Sequence, residues 1–208
     1  MKKIYTIAFV LLSFCAIAQE NRNNQPLPPV ATPMFYNDVV IENDTISQNR
    51  VRLSVAFNGW IYSAYNTVNT PANKGGITIR MSRDNGTTWT TMDSYSVTDV
   101  RYPAFDIVVA GNDTNNMVLY LAGVNQNISS GNYVLFVDRY NATTGSFAGS
   151  NYNLSNGTRQ LYDVALATDY RFPGVNANPY SVGMLYSTYS PSFDSIVYLG
   201  STDGGTSW

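Results

Sequence analysis

Histidine is absent from all 208 residues, so imidazole general-base catalysis, a Ser-His-Asp triad and histidine-ligated zinc are excluded within this chain. Cysteine occurs once, as Cys15 inside an apolar run near the start. A lone cysteine excludes disulfide staples and cysteine metal clusters within the chain, cleavage after Ala18 would remove the thiol nucleophile too, and a packed core has to supply the stability. Charge is scarce: 12% of residues are Asp, Glu, Lys or Arg, against roughly 25% in an ordinary globular chain. The formal net charge is −2, with no basic stripe to neutralise phosphates, so no nucleic-acid partner is expected. Glutamate occurs only at Glu20 and Glu42. Apolar runs are short, the longest reaching from Ile4 to Phe14, whereas a bilayer-spanning helix needs about 20 residues.

That run has the features of an export signal. Lys2 and Lys3 precede it, and Ala16-Ile17-Ala18 follows as a small-x-small cleavage site, so residues 1–18 read as a signal peptide and not as a membrane span. Residues 19–33 are polar and then proline-rich, an extended lead-in. The expected location is outside the cell or on its surface, with no membrane span after signal removal. Sixteen tyrosines among many Asn, Ser and Thr residues suit a β-rich surface that makes polar and stacking contacts, a composition permissive for sugars.

Two stretches share one template, Ser-x-Asp-x-Gly-x-(Thr/Ser)-Trp: Ser82, Asp84, Gly86, Thr88 and Trp89 in the first, Ser201, Asp203, Gly205, Ser207 and Trp208 in the second. Each follows a strand-like run. Ser and Asp oxygens can accept hydrogen bonds from turn amides, Gly supplies a positive φ, and Trp anchors the hairpin in an apolar layer. No base, acid or metal partner accompanies Asp84 or Asp203 locally, so their reading is structural, and no metal or cofactor is expected. On these residues the chain resembles the Asp-box (BNR repeat) β-propeller proteins, whose best known members are sialidases. In that family the box shapes a turn and takes no part in chemistry.

The rest of the chain repeats with a period near sixty residues. Phe105 to Ala110 is echoed by Tyr162 to Ala167, and Phe147 stands between Trp89 and Trp208 at the corresponding place. A fixed period of this length with short strands points to propeller blades. The expected fold is all-β, a partial propeller spanning 34–208 with four-stranded antiparallel blades near 50–92, 104–149 and 161–208. Val51, Leu53, Val55 and Phe57 alternate with Arg52, Ser54 and Ala56, the period-2 pattern of a strand with one core face. The third blade reaches Trp208 without an outgoing strand. Because propellers close at about four to eight blades, the expectation is an N-terminal part of a longer protein, which standing alone would leave apolar blade faces exposed.

In the family the chain resembles, ligands bind on the face formed by loops joining second to third strands and successive blades. Here those are 67–75, 124–131 and 189–194, with 93–103 and 150–160 between blades. An arginine stands at the start of the innermost strand in each unit: Arg50 with Arg52, then Arg101, then Arg159. Guanidinium forks suit bidentate capture of a carboxylate, and sialidases hold their substrate's acid group with three arginines from different blades. Arg101-Tyr102-Pro103 resembles the Arg-Ile-Pro segment that carries one of them, so Arg50, Arg101, Arg159 and Tyr102 are the candidate anion- or glycan-binding residues. The other reading is that these arginines cap strands and pair with Asp106, Asp163 or Asp99. A sialidase also needs a Tyr nucleophile with its Glu, and an Asp acid, which these residues cannot supply with glutamate only at Glu20 and Glu42. The reading is an exported, non-catalytic binding or adhesion module for a glycan or other extracellular polymer. The alternatives are an exo-glycosidase of the sialidase type with its catalytic Tyr and Glu beyond residue 208, and a structural surface protein.

Overall fold

The computed structural model describes residues 47–69, 74–157, 159–168, 181–190 and 193–208. Residues 1–18 and 19–33, expected as signal and lead-in, lie outside the described residues, as do Glu20 and Glu42. Eleven strands form three antiparallel sheets among them. The first blade runs in the order β1 (Ser47–Val55), β2 (Ile61–Asn69), β3 (Lys74–Ser82), β4 (Thr90–Thr98). The second holds β5 (Val100–Ala110), β6 (Val118–Asn127), β7 (Tyr133–Asn141) and β8 (Phe147–Gly157), and the third β9 (Gln160–Thr168), β10 (Val182–Ser190) and β11 (Phe193–Ser201). No helix long and apolar enough to cross a membrane occurs among the described residues.

Period-2 alternation in the middle blade explains why the sheets stack. Phe105, Ile107, Val109, Leu119, Leu121, Phe136 and Tyr140 point one way and join Tyr62, Ala64, Ile77 and Ile79 of the first blade in one buried cluster. Their neighbours in sequence, among them Ala104, Tyr120, Ala122, Val124, Leu135 and Val137, point the other way onto Val164, Val182, Met184 and Tyr186 of the third. Both faces of the middle sheet are thus covered, the arrangement that reads as near-continuous apolar strands. The innermost strands lie side by side, β1 against β5 and β5 against β9. The architecture is a partial β-propeller.

Polar contacts between blades repeat with the same period. The buried Tyr62 hydroxyl donates to the Ala142 carbonyl in the turn of the next blade at 3.0 Å, and the Tyr120 hydroxyl donates to the Gly204 carbonyl one blade further on at 3.0 Å. Nearer the axis, the Val109 amide donates to Ser54 Oγ at 3.0 Å and the Leu166 amide to Asp106 Oδ2 at 2.8 Å. Arg52 pairs with Asp106 at 3.7 Å. Asp106 therefore ties the innermost strands of all three blades together.

Three expectations are corrected. Val51, Leu53, Val55 and Phe57 are exposed, because the alternate residues Arg52, Ser54 and Ala56 face the second blade. The segments 93–103 and 150–160 are not loops: β4 continues to Thr98 and β8 to Gly157, and Asp99 alone links β4 to β5. Their Ser-, Asn- and Thr-rich outer strands pair through backbone groups, which needs no apolar alternation. Phe147 is more than half exposed at 56%; it lies edge-on to Tyr140, ring centroids 5.5 Å apart, instead of anchoring a buried hairpin.

Candidate functional site

Antiparallel order brings the starts of β1, β5 and β9 to one end of the blades, together with the hairpins β2–β3, β6–β7 and β10–β11. Asp99 organises this end. It adopts φ 62, and its carboxylate accepts from Asn127 Nδ2 at 3.0 Å, the Ser129 amide at 3.3 Å and Ser129 Oγ at 2.8 Å. Its carbonyl accepts from the Ile128 amide at 2.8 Å. Within the hairpin the Asn127 amide donates to the Asn132 carbonyl, and the Ser130 amide to Asn127 Oδ1 at 2.7 Å. Ile128, Ser129, Ser130 and Asn132 are held out to solvent on this scaffold.

The predicted site residues divide. Arg101 is exposed at the start of β5, its Nε donating to Gln126 Oε1 at 2.5 Å. Arg50 is exposed at the bulge between Asn49 and Val51, with φ 49. Arg159 is half-buried just ahead of β9. All three stand at the same end, on neighbouring innermost strands. Tyr102 belongs to the core instead: a bulge between Arg101 and Ala104 turns its ring inward, edge-on to Tyr95 at 5.8 Å and Phe136 at 6.1 Å. Burial pushes its hydroxyl up to about 12. Gln126 and the Asn127–Ser129 anchor lie within 124–131, the segment expected at the binding face, but were not singled out there as site residues.

Two glycines make this end possible. A Cβ on Gly75 would lie 2.4 Å from the Val100 carbonyl oxygen, and one on Gly76 would lie 2.2 Å from that of Tyr95. Only hydrogen lets β3 approach β4 and the start of β5 so closely.

At the opposite end, the two Ser-x-Asp turns share most of their bonds, differing in that the Thr206 amide donates to Asp203 Oδ1 and the Thr87 amide to the Asp84 carbonyl. Ser82 Oγ and Ser201 Oγ each accept from the amide four residues on, Gly86 and Gly205, at 2.8 Å. Asp84 Oδ1 accepts the Thr88 amide at 2.8 Å, and Asp203 Oδ1 accepts that of Ser207 at 2.9 Å. The following hydroxyls, Thr88 and Ser207, donate to the second carboxylate oxygens at 2.6 and 2.5 Å. These donors, the hydroxyl first, pull Asp84 down to about 2 and Asp203 lower still. Trp89 and Trp208 each donate Nε1 back to the turn glycine carbonyl, Gly86 and Gly205. With every oxygen so used, neither carboxylate is positioned for chemistry. The middle turn is built differently, on Asn141 Oδ1 accepting the Thr143 and Thr144 amides at 3.0 and 2.9 Å.

Beside this end lies a cavity of about 320 Å³ lined by Met81, Arg83, Thr88, Thr90, Thr91 and Met92, among others. Its cation is already engaged, since Arg83 lies 4.5 Å over the Trp60 ring and donates to the Thr143 carbonyl.

Carboxyl and phenol groups also meet between the first two blades. Tyr140 donates its hydroxyl to Asp93 Oδ2 at 2.9 Å, and Ser150 donates to Asp138. Burial raises Asp138, with the Asp93 charge adding to it, and raises the Tyr140 and Tyr95 hydroxyls. No group of three or more His, Cys, Asp or Glu side chains suited to hold a metal ion occurs among the described residues.

The chain matches no protein-family model and no curated protein sequence. Among solved structures it is similar to an E242A mutant of the α-L-arabinofuranosidase Arb93A from Fusarium graminearum in complex with an iminosugar inhibitor, with TM-score 0.51 and 11% identity over 74% of this chain and 45% of that one. It is similar also to an α-L-arabinanase from Penicillium chrysogenum complexed with arabinobiose, TM-score 0.51 and 16% identity over 75% of this chain and 46% of that one. The chain thus spans less than half the length of either neighbour. At such identities the likeness concerns the fold, and that fold is a β-propeller.

Proposed function

We propose that this chain is an exported propeller module of the Asp-box type that binds a glycan or another extracellular polymer at its loop end without cleaving it. The observation that carries this reading is the exposed Arg101 fork, held through Nε by Gln126 beside the hairpin that Asp99 anchors. A guanidinium fixed in this way loses little freedom on meeting a carboxylate or paired sugar hydroxyls. Exposed Ser129, Ser130 and Asn132 add donors and acceptors around it. The two Ser-x-Asp turns lie at the far end and leave this face clear. Support for a sugar as the ligand comes from the arabinobiose held by the arabinanase neighbour.

A second reading has a specific observation in its favour: the structural neighbours are an arabinofuranosidase and an arabinanase. On that reading the propeller is an exo-glycosidase whose nucleophile and acid lie outside the described residues. Within those residues glutamate is lacking, and Asp84, Asp99, Asp106 and Asp203 are each engaged by backbone donors.

The deciding experiment measures calorimetric binding of arabino-oligosaccharides and sialosides to the chain and to Arg101→Ala, with released sugar assayed in parallel. Binding that weakens at least tenfold in Arg101→Ala, with no sugar released, meets the first reading. Sugar released by the unaltered chain overturns it in favour of the second.

A further inference from the structure

The cavity of about 320 Å³ at the turn end is walled by the first two blades, a boundary that this chain completes by itself. One wall comes from the end of β3 and the start of β4. Strand alternation would send successive side chains of β4 to opposite faces. The pairing slips, however, so that Ile79 stands opposite Asp93 and Arg80 opposite Thr91, with Met92 as the extra residue of a bulge. A bulge re-aims side chains, and Thr90, Thr91 and Met92 accordingly line the same space. The other wall is the turn of the second blade, with Thr144 and Gly145. A Cβ on Gly145 would lie 3.4 Å from Met92 Cγ, so a larger residue there would crowd the Met92 wall.

Arg83 stands exposed on this lining, and the turn does not require it. The second Ser-x-Asp turn carries Thr202 at the corresponding place and still bonds its Ser201 and Asp203 oxygens as Ser82 and Asp84 are bonded. What distinguishes Arg83 is a fixed plane, set by the Trp60 ring beneath it and by one Nη2 donor to the Thr143 carbonyl. Both supports are themselves held. The Trp60 amide donates to Asn58 Oδ1 at 3.1 Å and its carbonyl accepts from the Ala56 amide at 2.9 Å. The Thr143 hydroxyl donates to the Thr114 carbonyl, and its amide to Asn141 Oδ1 at 3.0 Å. A guanidinium carries several N–H donors; these contacts use one of them, and no carboxylate pairs with Arg83 among the described residues.

The hydroxyls of the lining complement this cation. Thr88 Oγ1 spends its proton on Asp84 Oδ2, and Thr90 Oγ1 on the Met81 carbonyl at 3.3 Å, so both offer lone pairs to a donor from outside. Thr91, exposed beside them, keeps its hydroxyl proton for a ligand. Met81 and Met92 add polarizable apolar surface that adapts to shape. No carboxylate lines the cavity, and Asp84, joined to it through Thr88, has both oxygens engaged by its own turn.

We infer that this cavity is a second ligand site, built for an anionic sugar. The carboxylate or sulfate ester of the sugar meets the Arg83 guanidinium and the Thr91 hydroxyl, a charge-assisted pairing that the arginine fork suits. Sugar hydroxyls donate to Thr88 and Thr90, and an apolar ring face lies on the Met92 thioether. The volume stands at the lower end of small-molecule cavities, which run from about 300 to 1,000 Å³, so it has room for one ring and is not filled by an inorganic anion alone. Because the guanidinium is already held in plane, it gives up little freedom on binding. The site lies at the opposite end of the blades from Arg101 and is independent of the glycan reading made there.

Its test is an NMR titration that follows the Thr91 and Gly145 amides while galacturonate, sulfated galactose, neutral galactose or inorganic sulfate is added. The titration is repeated on Arg83→Gln, Thr91→Val and Arg101→Ala, with circular dichroism showing that each variant keeps its strands. At least one charged sugar is expected to shift both amides and to bind more tightly than galactose and inorganic sulfate; which one does so identifies the source of the charge. Arg83→Gln is expected to weaken that binding about tenfold or more and Thr91→Val about threefold, while Arg101→Ala leaves it unchanged whatever happens at the loop end. The inference is overturned if neither charged sugar shifts these amides, if galactose binds as well as they do, or if Arg83→Gln binds like the wild type. Inorganic sulfate binding as tightly as the sugars would mean an adventitious ion only and overturns it too, as does loss of the signal in Arg101→Ala.

Discussion

Tyr62 and Tyr120 occupy the same place in successive blades, and each donates its hydroxyl across the interface to a carbonyl in the next blade's turn, Ala142 for the first and Gly204 for the second. The two acceptors differ in one respect. Gly204 also accepts from Arg139 Nη1 at 3.0 Å. Replacing Tyr120 by Phe therefore leaves that carbonyl with a donor, at a cost of about 1 kcal/mol, whereas Tyr62→Phe strips the Ala142 carbonyl of this bond and costs about 2 kcal/mol. Urea denaturation of both variants checks the order; equal losses would contradict it.

Close approach of backbone at the loop end makes a second prediction. Gly76→Ala places a Cβ against the Tyr95 carbonyl, and rigid neighbours on both sides make the expected loss about 3 kcal/mol. Gly131, at φ 70 with open space around it, serves as the comparison: there Ala meets only backbone strain, about 1 kcal/mol. Thermal unfolding of the pair measures the difference.

Much of the fold was legible from the residues. The two Ser-x-Asp-x-Gly stretches each carry every side-chain acceptor their turn uses, so local chemistry alone specified them. The run Phe105–Ala110 was marked by its echo at Tyr162–Ala167, and β5 indeed spans it. The outer strands β4 and β8 were read too short because Ser94, Ser96, Ser150 and Asn153 carry no apolar signal, although they pair through the backbone. Which face of β1 turns inward was misjudged for a different reason. Both of its faces look plausible in isolation, and only the contacts of Ser54 and Arg52 with the second blade decide. At the candidate site Arg101 stood out as a charge at a strand start, but its partner Gln126 is distant in sequence and follows from register alone.

The turn carboxylates resist acid. Asp84 sits at about 2 because Thr88 and Ser82 donate to it, below the unfolded carboxylate value of about 4. A depressed value means stabilisation that is fully present above the unfolded value and disappears as pH falls through the folded one. Between pH 4 and 2 the amide of Thr88 is therefore expected to lose its hydrogen-bonded chemical shift, with that of Ser207 following at lower pH. Titration by NMR tests the order, and a midpoint near 4 for Thr88 would contradict it.

Asp138 has the opposite sign. Burial and the Asp93 charge raise it, so its proton is held more tightly in the folded state, and stability falls as pH rises through that raised value. Asp138→Asn keeps an acceptor for Ser150 and removes the buried charge. Its melting temperature at pH 7 is expected to equal or exceed that of the wild type, with a flatter pH profile above pH 4. A lower melting temperature at pH 7 together with an unchanged profile would count against this account.

The central claim is that the three sheets are blades packed edge to axis, with innermost strands bridged side by side. Residue-resolved amide exchange tests it most directly at Val109 and Leu166. Both amides belong to edge strands of their own sheets, yet they donate across blade boundaries to Ser54 and Asp106. The account predicts slow exchange at both, and loss of protection at Leu166 but not at Val109 in Asp106→Ala. Exchange at both sites as fast as in an unstructured chain would contradict it.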